Sequence, residues 1–178
     1  HVLYRNKKPV AGPYTSVIKA LEKDNSIETI KIPLLDYKDP IYYGNPKNEK
    51  LITIPKFLGK ALPIKYFIDF VFTAILIIKF LHKNMTKESI VIGIDPLSTI
   101  PAVLIKIFSK FKLIFYCVDF NEQRFSNTFL QKLYEKADKI CSKYSDQTWA
   151  VCESLVDYKR INYDVVSKYI PNSFPFTD

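Results

Sequence analysis

Acidic side chains follow three apolar runs of the sequence, at positions that could form a ligand site. Asp95 ends the run SIVIGID, Asp119 lies near the end of KLIFYCVDF, and Glu153 and Ser154 follow QTWAVC. A carboxylate at the end of a buried strand could accept hydrogen bonds from a sugar hydroxyl or take a proton. It could equally cap the loop or helix that follows, and the turn-like sequence DPLST favours capping for Asp95. Asp138, in KADKI, is interpreted as a residue that shapes a turn.

Two further segments could contact phosphate. Gly12 and Pro13 precede the helical pattern YTSVIKALEKD. Exposed amides at a helix N-terminus attract phosphate, and a glycine lets a ligand approach the backbone; the alternative is a helix-entry turn. Arg124, in NEQRF, could bind phosphate through two hydrogen bonds or pair with Glu122 on a loop. The chain has no G-x-G-x-x-G and no G-x-x-x-x-G-K-[ST], which argues against a dinucleotide enzyme and a P-loop NTPase.

Composition indicates one globular domain. The chain has 178 residues, of which 48% are hydrophobic and 25% are charged, a mixture that excludes disorder and fibrous repeats. Its cysteines are Cys117, Cys141 and Cys152, an odd number without C-x-x-C spacing. With only His1 and His82 besides, we expect no metal site, no disulfide framework and a reducing compartment.

Hydropathy and charge indicate whether the chain could span a membrane or bind to its surface. The stretch from Ala61 to Leu81 is strongly apolar but contains Lys65, Asp69 and Lys79, so it predicts a buried core helix rather than a membrane span. The net charge of +8 is uneven, since residues 1–90 carry 15 basic against 8 acidic side chains. This asymmetry indicates either a contact with an anionic partner, such as an anionic lipid surface, or simply solubilising lysines.

Short β-rich runs alternate with helical patterns along the chain. This alternation predicts an α/β fold with a doubly wound parallel sheet and helices on both faces. About six strands are expected, within residues 26–34, 50–55, 89–95, 112–120, 147–152 and 166–171. Ligands bind at the carboxyl ends of the strands in such sheets, which is where Asp95, Asp119 and Glu153 stand.

The order of several segments resembles a known pattern. VAGPYTSVIKALEK, SIVIGIDPLSTIPAVLIKIF, KLIFYCVDF, LYEKADKICSKYSDQTWAVCESLVDYKR and YIPNSFPF together resemble the N-terminal half of a family 4-type, group 1-like glycosyltransferase of GT-B fold. The resemblance covers nearly all of the chain. It implies that residues 1–178 form one Rossmann-like domain that recognises the acceptor. A second domain that binds the nucleotide sugar is expected beyond the IPN segment.

The resemblance also implies roles for individual residues. Gly12 matches the glycine loop that approaches the donor phosphate, although Ala11 replaces the usual second glycine. Asp119 stands where many members have a histidine that contacts the donor sugar, so it is the expected catalytic residue. Glu153–Ser154 match a segment near the cleft, and Asn172 matches the asparagine before the hinge.

The function implied is transfer of a sugar, of hexosyltransferase type, from a nucleotide-sugar donor to a polysaccharide or lipid-linked acceptor. The resemblance implies no metal and no cofactor. We expect a cytoplasmic location, and the excess of basic residues in the first half fits a peripheral enzyme that docks on anionic lipid at the inner face of a membrane. The glutamate pair of the family's second domain has no counterpart among the seven glutamates, so we expect the isolated chain to be inactive. The alternative is a non-catalytic α/β nucleotide- or ligand-binding module. Nucleic acid is not expected as a partner, because the lysines are not clustered with aromatic residues.

Overall fold

The computed structural model of the chain describes residues 4–5, 8–9, 13–21, 27–33, 37, 39–83, 89–120 and 125–171. These residues fall into two compact units. The described residues of the first unit lie within 1–76, and the second unit comprises residues 77–172.

The first unit is built from short strands and helices. In chain order they are β1 (Tyr4–Arg5), β2 (Lys8–Pro9), α1 (Pro13–Leu21), β3 (Thr29–Lys31), β4 (Ile41–Gly44), β5 (Lys50–Ile52), a 3-10 turn (Lys56–Gly59) and the first part of α2 (Leu62–Lys83). β1 and β2 form an antiparallel pair. β3, β4 and β5 form a separate antiparallel sheet in that order.

The prediction that residues 26–34 and 50–55 belong to the parallel sheet was wrong. Both segments contain strands, but each pairs antiparallel with β4. A turn at Asn45 joins β4 to β5: the Asn45 side-chain oxygen accepts from the Lys47 amide (2.9 Å), and its carbonyl accepts from the Asn48 amide (2.9 Å). A turn this short can join antiparallel neighbours only. Ile41 on β4 is fully buried and contributes to the core of this unit.

The helix predicted within residues 61–81 is confirmed as α2. It is buried along one stripe only, since Phe67 and Ile75 are 67% and 56% exposed, and its first charged residues belong to the buried stripe. Lys65 is 2.5 Å from the Asp69 carboxylate one turn later. The Tyr37 hydroxyl donates to the same carboxylate at 2.7 Å. Among the described residues, no helix combines the length and apolar character needed to cross a membrane.

The second unit alternates strands and helices regularly. Its elements, after the end of α2, are β6 (Ile90–Ile94), α3 (Pro96–Lys106), β7 (Lys112–Cys117), α4 (Thr128–Tyr144), β8 (Gln147–Ala150), α5 (Glu153–Tyr163) and β9 (Ser167–Tyr169). All four strands are parallel and adjacent in chain order. The α/β prediction with a parallel sheet is therefore confirmed, but the described sheet has four strands instead of about six.

All three helices that connect these strands pack on one face of the sheet. Gly93 lies against α3, and a Cβ there would stand 2.6 Å from Thr99 Cγ2, so only glycine fits. Phe115, the register neighbour of Gly93, lies on the same face beneath Lys159 of α5. Strands added one after another in a single direction, with right-handed connections, place their helices on one side. That helices cover both faces of the sheet therefore remains a prediction, which concerns strands other than these four.

Candidate functional site

The predicted acidic residues of the second unit lie at one edge of the parallel sheet. Asp95 directly follows β6, Asp119 follows β7 after one residue, and Glu153 begins the helix after β8. The register pairs Ile94 with Tyr116, so these strands end at similar heights. This edge is the one at which parallel sheets bind ligands.

Asp95 is committed to capping α3. Its Oδ1 accepts from the Leu97 amide at 2.8 Å, and its carbonyl accepts from the Thr99 hydroxyl at 2.7 Å. Its backbone has φ of 80°, a left-handed conformation that residues other than glycine rarely adopt. Asp95 is only 9% exposed, so its carboxylate offers little surface to a ligand. The structure thus shows the capping role that DPLST favoured.

Asp119 exposes its side chain to solvent, while its backbone and the next residue contact α4 and α5. Its backbone carbonyl accepts a hydrogen bond from the buried Tyr134 hydroxyl at 3.2 Å. The next residue, Phe120, stacks on Tyr134, with ring centroids 6.0 Å apart, and contacts Tyr158 at 4.7 Å. These contacts draw Phe120 inward while the Asp119 side chain remains exposed. An exposed carboxylate on a fixed backbone can accept hydrogen bonds from ligand hydroxyls without reorganising.

The N-terminus of α5 differs from those of the other two helices. Asp95 caps α3, and Asn127 caps α4 by accepting from the Phe129 amide at 2.9 Å. The N-cap of α5 is Cys152, whose side chain makes no capping hydrogen bond. Its sulfur lies 3.1 Å from the Ser154 hydroxyl instead. The first amides of α5 therefore form a positive helix end beside the sheet edge, where Glu153 and Ser154 are exposed.

A buried ion pair lies between α4 and α5, beneath this edge. Asp138 Oδ2 accepts from Lys159 Nζ, and both side chains are fully buried. The Cys117 thiol donates to Asp138 Oδ1 at 3.9 Å. Burial raises the pKa of Cys117 to about 12, and Lys159 offsets part of this effect. Burial likewise raises the pKa of Asp138 above its ordinary value, opposed by Lys159.

The prediction that Asp138 shapes a turn was wrong, because it lies within α4 and neutralises Lys159. A signal was present in the spacing: Tyr134, Asp138 and Cys141 share one helical face, and all three are buried. Phe129 and Leu133 of the same helix are apolar too, yet they are 73% and 50% exposed.

The remaining predicted site residues belong to the first unit or lie outside the described residues. Gly12, Arg124 and Asn172 are outside the described residues. Pro13 is the first residue of α1, in the first unit. The structure therefore brings together Asp95, Asp119 and the Glu153–Ser154 pair, and the placement of the others stays a prediction.

Within the described ranges, no group of three or more histidine, cysteine, aspartate or glutamate side chains is arranged to hold a metal ion. Cys117, Cys141 and Cys152 are free thiols. Comparison of the chain with protein-family models finds no match. Comparison with curated proteins finds no significant match either.

Proposed function

We propose that the chain is the N-terminal, acceptor-side domain of a GT-B glycosyltransferase, which transfers a sugar from a nucleotide-sugar donor to a polysaccharide or lipid-linked acceptor. One observation carries the proposal: the exposed carboxylate of Asp119 is held on an anchored backbone at the carboxyl edge of a parallel sheet. The uncapped N-terminus of α5 stands at the same edge. A hydroxyl-binding acid beside a positive helix end suits a sugar that carries phosphate.

The proposal assigns roles to six of the candidate site residues. Asp119 accepts hydrogen bonds from sugar hydroxyls, and Glu153–Ser154 line the cleft beside the α5 amides. Gly12 and Arg124 contact the donor phosphate, and Asn172 precedes the hinge to a second, donor-binding domain. Catalysis then comes from positioning the two substrates and from electrostatic stabilisation of the leaving diphosphate.

We also propose a complete sheet and a cellular location for the enzyme. In the complete enzyme, the four described strands belong to a Rossmann-like sheet of about six strands with helices on both faces. The nucleotide sugar is a substrate, and no metal or cofactor takes part. The proposed location is cytoplasmic, at the inner face of a membrane.

A non-catalytic α/β module that binds a nucleotide or another ligand is the second candidate. Two of the acids near the sheet edge favour it, because Asp95 is used as a helix cap and Asp138 is neutralised by Lys159. Neither carboxylate is available to exchange a proton with a substrate. The binding module would therefore depend on Asp119 and the α5 N-terminus for recognition alone.

Calorimetric titration of the full gene product with UDP- and GDP-sugars, together with an assay of sugar transfer, tests the proposal. Asp119→Ala should lower turnover by at least about tenfold, because a hydrogen bond to a charged group is lost. Asp157→Ala removes an exposed acid from α5 and serves as the matched control.

The outcomes separate the two candidates. Binding with transfer supports the glycosyltransferase, whereas binding heat without transfer or donor hydrolysis supports the module. Absence of heat with every sugar nucleotide would refute the transferase. Equal turnover of the Asp119 variant and the control would remove Asp119 from the site.

A further inference from the structure

A basic and apolar protrusion lies at the opposite end of the second unit from Asp119. We call it the basic tip and define it by five residues near the end of α3, namely Lys106, Ile107, Phe108, Lys110 and Lys112. α3 starts at the carboxyl edge of the sheet and ends before the first residue of β7. Its 11 residues separate the two ends by about 16 Å at 1.5 Å per residue.

Two large apolar side chains of the basic tip project into solvent. Ile107 is 70% exposed and Phe108 is 88% exposed, while Phe111, three residues further on, is 6% exposed. The chain thus uses Phe111 to fill the core and turns Ile107 and Phe108 outward. With nearly nine tenths of its surface in water, Phe108 forms a convex protrusion rather than the wall of a groove.

Lysines surround this protrusion. A shallow depression of about 360 Å³ is lined by Lys106, Ser109, Lys110, Phe111 and Lys112. Lys106 is held there by Asp146, at 2.7 Å, and Lys110 and Lys112 are exposed.

Asp146 does not reverse the positive charge of the tip. Burial acts to raise its pKa, but hydrogen bonds from Lys106 and from the Leu113 amide outweigh burial and hold the pKa below its ordinary value. The carboxylate is consequently ionised and neutralises one lysine of three. Lys106 Nζ also donates to the backbone carbonyl of Tyr144 at 3.3 Å, and Tyr144 is 64% exposed.

We propose that the basic tip docks the protein on an anionic phospholipid bilayer, with Ile107 and Phe108 inserted among the headgroups. Lys110 and Lys112 contact lipid phosphates, and the depression beside Ser109 receives one headgroup. A bilayer fits this surface better than a protein partner does, because a convex apolar protrusion needs no matching pocket in a fluid interface. Lysines flanking exposed aromatic and aliphatic side chains are the composition that binds anionic interfaces.

This inference does not depend on the proposed sugar transfer. It places the membrane contact at the α3 end of the second unit, rather than among the lysines of the first half that the charge asymmetry indicated. The carboxyl edge with Asp119 is at the other end of the sheet, so docking through the tip leaves that edge in water.

Co-sedimentation of the 178-residue chain with vesicles tests the inference without donor or acceptor. We would use equimolar phosphatidylcholine and phosphatidylglycerol, with vesicles of phosphatidylcholine alone in parallel. Removing two lysine charges by Lys110→Gln and Lys112→Gln should weaken binding by about 25-fold, at about fivefold per lysine. The control, Lys132→Gln with Lys136→Gln, removes the same charge from exposed sites on α4 and should change binding less than about twofold.

A second pair of variants tests insertion. Phe108→Ser should weaken binding by about tenfold or more, because an apolar ring no longer leaves water. Phe129→Ser alters a ring of similar exposure, 73%, on α4 and should leave binding unchanged. Far-ultraviolet circular dichroism and the fluorescence of Trp149 verify that each variant is folded.

Each outcome decides for or against the basic tip. Weakening confined to the tip variants, with binding only to anionic vesicles, supports it. Equal loss in the tip and α4 lysine variants overturns it in favour of diffuse charge, and an unaffected Phe108 variant overturns insertion. If the chain ignores both vesicle types but binds duplex DNA through Lys110 and Lys112, the tip is a nucleic-acid site and the proposal fails.

Discussion

Asp138→Leu should destabilise the second unit severely, because it leaves the Lys159 ammonium buried without its carboxylate. Lys159 is fully buried. Its other neighbours are aromatic rings and the Cys117 thiol: the Nζ lies 5.3 Å from the Phe115 ring centroid and 5.0 Å from that of Tyr163. Ring faces attract a cation but do not replace a carboxylate. The variant protein must therefore keep an uncompensated charge, deprotonate it or open the helix packing.

The expected magnitude follows from the burial of both partners. Removing one member of a buried pair costs about 3–5 kcal/mol, whereas replacing both by apolar residues is often neutral or stabilising. We therefore expect a loss of about 4 kcal/mol for Asp138→Leu alone and a near-neutral change for Asp138→Leu combined with Lys159→Met. The matched control is the exposed Asp157–Arg160 pair on α5, 2.8 Å apart with side chains 58% and 68% exposed. Its disruption should cost less than about 1 kcal/mol.

Urea unfolding monitored by tryptophan fluorescence measures these free energies. Trp149 is the only tryptophan of the chain and lies on β8 in the second unit, so its signal reports this unit. The decisive quantity is the coupling energy from the double-mutant cycle of Asp138 and Lys159. A single variant that loses less than about 1 kcal/mol, or a double variant that loses the sum of both singles, would refute the account of a buried, mutually dependent pair.

Two further predictions concern the same sheet. Gly93→Ala should lower the free energy of unfolding by about 1–3 kcal/mol, because its Cβ would stand 2.6 Å from Thr99 Cγ2; denaturant unfolding measures the change, and wild-type stability would show that α3 yields without strain. Cys152, which is half-buried, should be alkylated in the native protein, while Cys117, buried with a pKa raised to about 12, should react only on unfolding. Mass spectrometry of timed iodoacetamide reactions distinguishes the two thiols, and equal native rates would contradict the burial of Cys117.

Local patterns were sufficient for the second unit. Apolar runs such as KLIFYC became strands, and the intervening helical patterns became α3, α4 and α5. The strand-end positions of Asp95, Asp119 and Glu153 followed directly, because the carboxyl ends of parallel strands share an edge. Capping by Asp95 was also readable from DPLST, since a side-chain acceptor before a proline-led helix satisfies a free amide.

Local sequence patterns did not predict which strands pair with one another. The segments around Thr29–Lys31 and Lys50–Ile52 have strand composition, but their direction and neighbours depend on the turn at Asn45 and on burial of Ile41. The face of α4 was equally ambiguous, since Phe129 and Leu133 are as apolar as the residues that are buried. Only contact with another element decides which of two apolar stripes leaves water.

Short-range periodicity was enough to predict the alternation of strands and helices in the second unit and the acids at its strand ends. The tertiary structure alone decided that Asp138 neutralises Lys159, that Asp119 faces solvent while Phe120 turns inward, and that Ile107 and Phe108 project beside lysines. Each of these depends on residues far apart in the chain, or on which surface a neighbouring element covers. Burial and charge pairing are properties of that packing, and no window of the sequence contains them.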